Sequence, residues 1–406
     1  MFAMEFRRII LIRIVIALGV SMIIAWGTVF YAFGVLASPM IAETGMSRSF
    51  VYACFSGALI ASGLIAPAVG RLVDRIGGRR VMTMGSFIAA AGFLIIAWSP
   101  NTIVFAIGWI ALGCAIPFTL YDPAFATITA FAGSPRARSL IVQITLFGGF
   151  ASTMFWPLTH WLDMQIGWRA TWLVFAGANL LICAPLHFFV LPKQGETSGE
   201  AGAHASTSID EPTPIATEHR ALAFGLMALL FASNNFMLSG MSAHMMPLLS
   251  DLGVTPADAV ALGALIGPAQ VAGRLIELVF GRSISPVLVG WLATLLLVFS
   301  LGLTLIIGVA GWAGVAFAIG YGAANGLITI SRGTLPLVLF GRVGYGSVLG
   351  RLARPSLATA AIAPFVFALL IEAFQARAGL LISIAAAAIS LLAITLIAIR
   401  FGVRAR

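Results

Sequence analysis

An all-α integral membrane fold, with twelve transmembrane helices in two pseudo-symmetric six-helix bundles, is what this sequence predicts. Three observations carry it: very few charges, twelve apolar runs divided six and six by one polar linker, and short motifs that repeat between the halves. Of 406 residues, 60% are apolar and 9% are Asp, Glu, Lys or Arg, against about 25% charged in soluble domains. With a mean hydropathy of +1.05, too few charges remain to coat water-facing domains, so lipid must solvate much of the surface. The formal charge of +9 does not indicate nucleic acid, because no basic run is interleaved with exposed aromatics. Cys54, Cys114 and Cys183 lie inside apolar stretches, without disulfide or zinc spacing.

A helix needs about 20 apolar residues to cross the hydrocarbon. Arg7, Arg8 and Arg13 precede the first run with no convincing cleavage site, so it reads as a retained span rather than a signal peptide. Six spans fall near 12–37, 49–70, 81–98, 103–130, 139–162 and 169–191. Residues 192–219 form the only long polar segment, with Gln194-Gly195-Glu196 and Asp210-Glu211-Pro212, and read as a solvated linker. Six further spans fall near 221–248, 256–280, 286–308, 312–332, 347–374 and 379–400. The predicted domains are therefore 1–191, the linker 192–219, and 220–406.

Orientation follows from Lys and Arg. With the N-terminus inside, almost all of them collect on the inner side, while only Arg48, Arg169 and Arg377 fall outside. Both termini and the linker are expected in the cytoplasm, in a plasma (inner) membrane. The halves also repeat. Val104–Trp109 matches Ala316–Tyr321 at an offset of 212, and Gly70–Asp74 matches Gly273–Glu277 at an offset of 203. Halves related in this way belong to carriers that work by alternating access.

The stretch Gly70-Arg71-Leu72-Val73-Asp74-Arg75-Ile76-Gly77-Gly78-Arg79-Arg80 resembles the loop G-x-L-x-D-R-x-G-R-R of the major facilitator superfamily. The resemblance implies a twelve-helix secondary transporter in which Gly70, Asp74, Arg75, Arg79 and Arg80 act as a conformational latch favouring the outward-open state. Gly45–Ser49, Gly167–Thr171 and Gly273-Arg274 further resemble the monocarboxylate and oxalate–formate branch. Two departures stand against transferring that branch's proton-coupling residues. The first span has no Lys, and Gln270 stands where that branch places an Asp before the helix 8 Arg.

Ionisable groups inside a bilayer are expensive and mark function by default. Asp122, in Tyr121-Asp122-Pro123, is a candidate for proton coupling or for a counter-ion, and equally for a cap at a helix break. Arg332 occupies nearly the same place in the second half. Arg274 admits two placements: the repeat of Arg71, paired with Glu277, or a deeper donor fork holding a carboxylate. His244, near the outer end of its span, is either a proton carrier or an interfacial side chain. Asn234, Asn235, Tyr31, Tyr321 and Asn325 are the polar groups expected to orient substrate.

No Walker motif, metal box or nucleophile elbow is present, so neither an enzyme nor a cofactor is expected and transport work must come from an ion gradient. The sequence therefore predicts a monomeric carrier for a small organic anion, proton-linked, rocking around a midplane site. The alternative is an efflux carrier for drug-like, cationic or metalloid solutes.

Overall fold

The computed structural model describes residues 2–195, 215–281 and 284–401. Most of the predicted linker, 196–214, lies outside the described residues, as do Arg282, Arg404 and Arg406 and the side chains of Arg7, Arg8 and Arg48. Among the described residues the chain is almost wholly helical, with no strand. It runs as α1 (Phe2–Ala25), a π-helical turn at Trp26–Tyr31, α2 (Ala32–Thr44), α3 (Arg48–Ile76), α4 (Gly78–Ala97), α5 (Thr102–Thr119), α6 (Tyr121–Ala132), α7 (Ser134–Gly149) and α8 (Ala151–Ala178). Two π-helical segments, Asn179–Cys183 and Leu186–Val190, complete that half. After the linker come α9 (Thr217–Asp251), α10 (Pro256–Phe280), α11 (Pro286–Ile307), α12 (Trp312–Phe340), α13 (Tyr345–Phe374) and α14 (Ala376–Phe401).

Eleven stretches are long and apolar enough to cross a membrane. One of them, Arg136–Val190, is 55 residues long and is broken at Gly167, whose φ of 76° and ψ of 166° are not helical. A side chain would strain that conformation, so glycine lets the chain turn there and re-enter. The described residues therefore make twelve passes. Where helices begin, short polar side chains cover orphan N–H groups. Ser47 accepts from Phe50 N at 3.2 Å, Asn101 from Val104 N at 3.0 Å and Ser285 from Leu288 N at 3.2 Å.

The chain forms two compact units, residues 1–211 with 342–354, and 212–341 with 355–406. The first is centred on aromatic packing: Phe93 stacks on Trp172 at 5.2 Å, and Trp109 meets Trp172 edge-on at 6.0 Å. The second has a core of Met237, Met241, Leu297, Leu301, Phe317 and Phe367. Lipid tails are as apolar as these side chains, so helices gain by packing closely rather than by escaping water. Small residues permit it. A methyl group on Gly113 would strike the Ala58 carbonyl, and one on Gly326 would strike the Gln270 carbonyl.

Two expected boundaries differ. The fourth span breaks at Leu120, with φ −87° and ψ −158°, three residues before the proline. Pro123 instead sits in the first turn of α6, where its missing N–H is not needed. The Gly70–Arg80 stretch is hardly a loop, since α3 continues to Ile76 and only Gly77, at φ 80°, separates it from α4.

Candidate functional site

In the second unit, a methyl group added to Gly273 would lie only 2.9 Å from the Ala323 carbonyl of α12, and Gly322 and Gly326 are at least as tightly placed against α10. This crossing carries Arg274, only 4% exposed, onto α12. Its Nε donates to the Gly326 carbonyl and its Nη2 to Thr329 Oγ1, both at 3.5 Å. Glu277, one turn on, is also buried. The residues after Arg274 remain apolar and face outward, Ile276 at 59% and Phe280 at 66% exposed. Arg274 thus lies where the helix surface is still apolar, whereas its repeat partner Arg71 is exposed.

Along α12 a ladder runs toward this guanidinium. Thr329 Oγ1 donates to the Asn325 carbonyl at 2.8 Å, and Asn325 Nδ2 to the Tyr321 carbonyl at 2.8 Å. Asn325 Oδ1 and Tyr321 Oη are buried without a hydrogen-bond partner. Such orphans are costly in a dry interior unless water or a ligand reaches them. Tyr321 itself turns into the core beside Phe317, ring centroids 5.4 Å apart. Arg332 is half-buried two residues before Thr334 on the same helix. On α9, Asn234 is buried with Oδ1 unpartnered, and Asn235 is half-buried.

His244 ties α9 to α13. Its Nε2 lies 2.9 Å from the Pro364 carbonyl, and its ring stacks on Phe367 at 6.2 Å. The neighbouring contacts have a simple cause. Pro364 has no N–H for the Ala360 carbonyl, and Ser239 Oγ of α9 donates to that carbonyl at 2.6 Å. Thr359 Oγ1 returns a bond to the Ala232 carbonyl at 2.9 Å.

In the first unit, Asp122 occupies the first turn of α6, where the helix dipole favours a carboxylate. It lines a small cavity with Ala66, Gly70, Pro117, Gly346 and Gly350. Below it, Asp74 accepts from three donors: Gly346 N at 2.9 Å, Ser347 N at 2.7 Å and Ser347 Oγ at 2.6 Å. A methyl group on Gly70 would strike the Gly346 carbonyl. Arg79 lies over the Phe188 ring at 4.7 Å, while Arg75 and Arg80 are exposed. Tyr31 is half-buried in the π-turn, with its ring 6.1 Å from Trp156.

The structure thus gathers Arg274, Asn325 and Tyr321 along one helix crossing, and Asp122, Gly70 and Asp74 around another. His244 and the Asn234–Asn235 pair lie on α9, with His244 held to α13. Sequence reasoning missed Thr329, which follows Asn325 at helical spacing, and Tyr121, Trp156 and Asn179, which look like ordinary core residues. Among the described residues no group of His, Cys, Asp or Glu is arranged to hold a metal ion.

Residues 17–354 match the family model described as Major Facilitator Superfamily. Among curated proteins, the uncharacterized MFS-type transporter YcxA of Bacillus subtilis (strain 168) is 23% identical over 256 residues, 61% of this chain and 60% of that protein. The gallate transporter of Pseudomonas putida is 27% identical over 179 residues, 43% of this chain and 38% of that protein. The chain therefore spans less than two thirds of either relative. Among solved structures, the human organic anion transporter MFSD10 superposes with a TM-score of 0.72 at 18% identity, covering 95% of this chain and 99% of that one. The proton:xylose symporter XylE superposes with a TM-score of 0.76 at 14% identity, covering 96% and 95%.

Proposed function

The chain belongs to the Major Facilitator Superfamily, and from that premise we propose that it carries a small organic anion of the monocarboxylate type by alternating access, coupled to protons. As a member of that family it is an integral membrane transporter for small molecules. The observation that carries the finer reading is Arg274. A guanidinium buried at a depth where the helix surface is apolar offers a planar fork of donors that fits a carboxylate in bidentate fashion. The name of the gallate transporter supports the same charge sign, since gallate is a carboxylate.

In this reading Arg274 and Arg332 supply positive charge. Asn234, Asn235, Tyr31, Tyr321 and Asn325 orient the substrate, and Asp122 or His244 carries the coupling proton. Residues 1–191 rock against 220–406, with both termini in the cytoplasm and the protein working as a monomer in the inner membrane. Gly70, Asp74, Arg75, Arg79 and Arg80 serve as the latch.

The test is thermal stabilisation of purified protein by a panel of carboxylates, amines and oxyanions, repeated on Arg274→Gln, because a ligand that binds the native state raises its melting temperature. Carboxylates should stabilise the native protein. In the variant their affinity should fall about 10- to 100-fold, the worth of hydrogen bonds to a charged group. A carboxylate shift that survives unchanged removes Arg274 from the site. One observation favours the rival reading, export of cationic or metalloid solutes: Asp122 lines a cavity of its own. Stabilisation by amines that is lost in Asp122→Asn but kept in Arg274→Gln would establish that rival instead.

A further inference from the structure

Around Tyr31 the first unit presents further aromatic surface that an anion site alone does not use. In the π-turn Trp26–Tyr31, i→i+5 hydrogen bonding brings residue i+5 back to the face of residue i. Trp26, Phe30 and Tyr31 consequently share one side, with Trp26 5.4 Å from Phe30 and 6.2 Å from Tyr31 between ring centroids. The back of the turn is bolted down. Thr28 Oγ1 accepts from Asn179 Nδ2 at 3.2 Å, where Asn179 begins a second π-helical segment. Gly27 presses so closely on Phe155 that a methyl group has no room.

Two more rings complete the face. The break at Leu120 aims Tyr121 at Trp26, with centroids 5.3 Å apart, and Trp156 stands edge-on to Tyr31. Trp26 Nε1 is buried without a hydrogen-bond partner, although the same holds for Trp109, Trp168 and Trp172. What distinguishes this group is that four of its five rings are open, while Tyr121, 7% exposed and stacked on Phe125 at 5.2 Å, backs them. Trp109 and Trp172 are fully buried, whereas Trp26, Phe30 and Tyr31 are half-exposed and Trp156 is 52% exposed. Ring faces also attract organic cations, so the sign of the ligand's charge comes from the anion-carrier reading and not from these rings.

We infer that Trp26, Tyr31, Tyr121 and Trp156 form a stacking site for the ring of an aromatic carboxylate. The carboxylate half of this assignment rests on the anion-carrier reading; the ring half does not. Offset or edge-to-face ring pairs favour an aromatic ligand over a saturated one of the same size about two- to tenfold.

The experiment measures thermal stabilisation of the full-length protein by benzoate and cyclohexanecarboxylate, by benzyl alcohol and cyclohexylmethanol, and by benzyltrimethylammonium. Benzoate should bind about two- to tenfold tighter than cyclohexanecarboxylate. That ratio should fall toward one in Trp26→Leu and persist in Trp26→Phe. Trp156→Leu, at a ring 52% exposed, should lower the ratio as well and serves if Trp26→Leu fails to fold. Equal binding of the two acids, or a ratio unchanged in the Leu variants, overturns the stacking site. If neither acid binds while benzyl alcohol beats cyclohexylmethanol in a Trp26-dependent way, the ring site stands and the anion reading falls. If neither pair is discriminated, the ring site falls too. Preference for benzyltrimethylammonium over benzoate overturns the carboxylate assignment.

Discussion

The carboxylate of Asp74 accepts both the backbone N–H and the hydroxyl of Ser347, at 2.7 and 2.6 Å, while its other oxygen takes Gly346 N at 2.9 Å. Those N–H groups belong to the start of α13, where helices carry unsatisfied donors and a positive partial charge. Asp74 is thus a helix cap supplied from 272 residues away in sequence.

Asp74→Asn keeps the size of the side chain but removes its charge and one acceptor. The expected cost is about 1 kcal/mol, as for a lost N-cap, read as a small drop in melting temperature of the purified protein. An unchanged melting temperature together with unchanged transport would leave the cap without consequence.

Gly326→Ala should be far more severe than its single carbon implies. The new methyl meets the Gln270 carbonyl, a backbone atom that cannot rotate away. Overpacking of this kind costs about 1–3 kcal/mol, and separating α10 from α12 also breaks the bond from Arg274 Nε to the Gly326 carbonyl. Stability and carboxylate binding should fall together in thermal-shift titrations. Gly302→Ala, with open space around it, is the control and should leave binding intact.

Thr28→Val preserves shape while deleting the hydroxyl that accepts from Asn179 and donates to the Ile24 carbonyl at 2.8 Å. Interhelical hydrogen bonds in membranes are worth about 0.6 kcal/mol on average, so the native fold should survive. With the bolt removed the π-turn is free to relax toward α-helical pairing. Tryptophan emission should then shift, and the preference for benzoate over its saturated analogue should weaken.

Arg169 braces three chain segments on one end of the first unit. Its Nε reaches Glu43 at 2.8 Å, its Nη1 donates to the Ala97 carbonyl at 2.8 Å, and its guanidinium covers the Trp168 ring at 4.2 Å. Both charged partners are more than a third exposed, so the ion pair alone contributes at most about 1 kcal/mol and is screened by salt. Glu43→Gln should therefore lower the melting temperature slightly at low salt and hardly at all at high salt. Arg169→Gln, which also uncovers the carbonyl at the end of α4, should cost more under both conditions.

Much of the candidate chemistry is legible in the sequence one residue at a time, but its setting is not. Arg274 and Arg71 stand at matching repeat positions, yet one is buried and the other exposed. Repetition carries over helix position but not what packs against it. Asp122 is readable from its sequence as a carboxylate within a span and beside a proline, but the helix breaks at Leu120, three residues before Pro123. A proline is compatible with a first turn, so its presence does not say where the helix starts. The π-turns at Trp26 and Asn179 left no trace in the apolar pattern, because one inserted residue barely changes hydrophobicity along a span.

Topology and class needed only the chain. Lipid can solvate a long helix only if most of its residues are apolar, and so the rarity of charge and the lengths of the runs define a twelve-pass membrane protein, while its class came from the resemblance carried by Gly70–Arg80 and the family match. Which side chains meet is a different matter. Thr28 finds Asn179, Trp26 finds Tyr121 and Asp74 finds Ser347 across 151, 95 and 273 residues. In a chain so uniformly apolar, hydropathy cannot tell a ring facing lipid from one facing a neighbouring helix. Only close packing of glycines, hydroxyls and rings in three dimensions decides it.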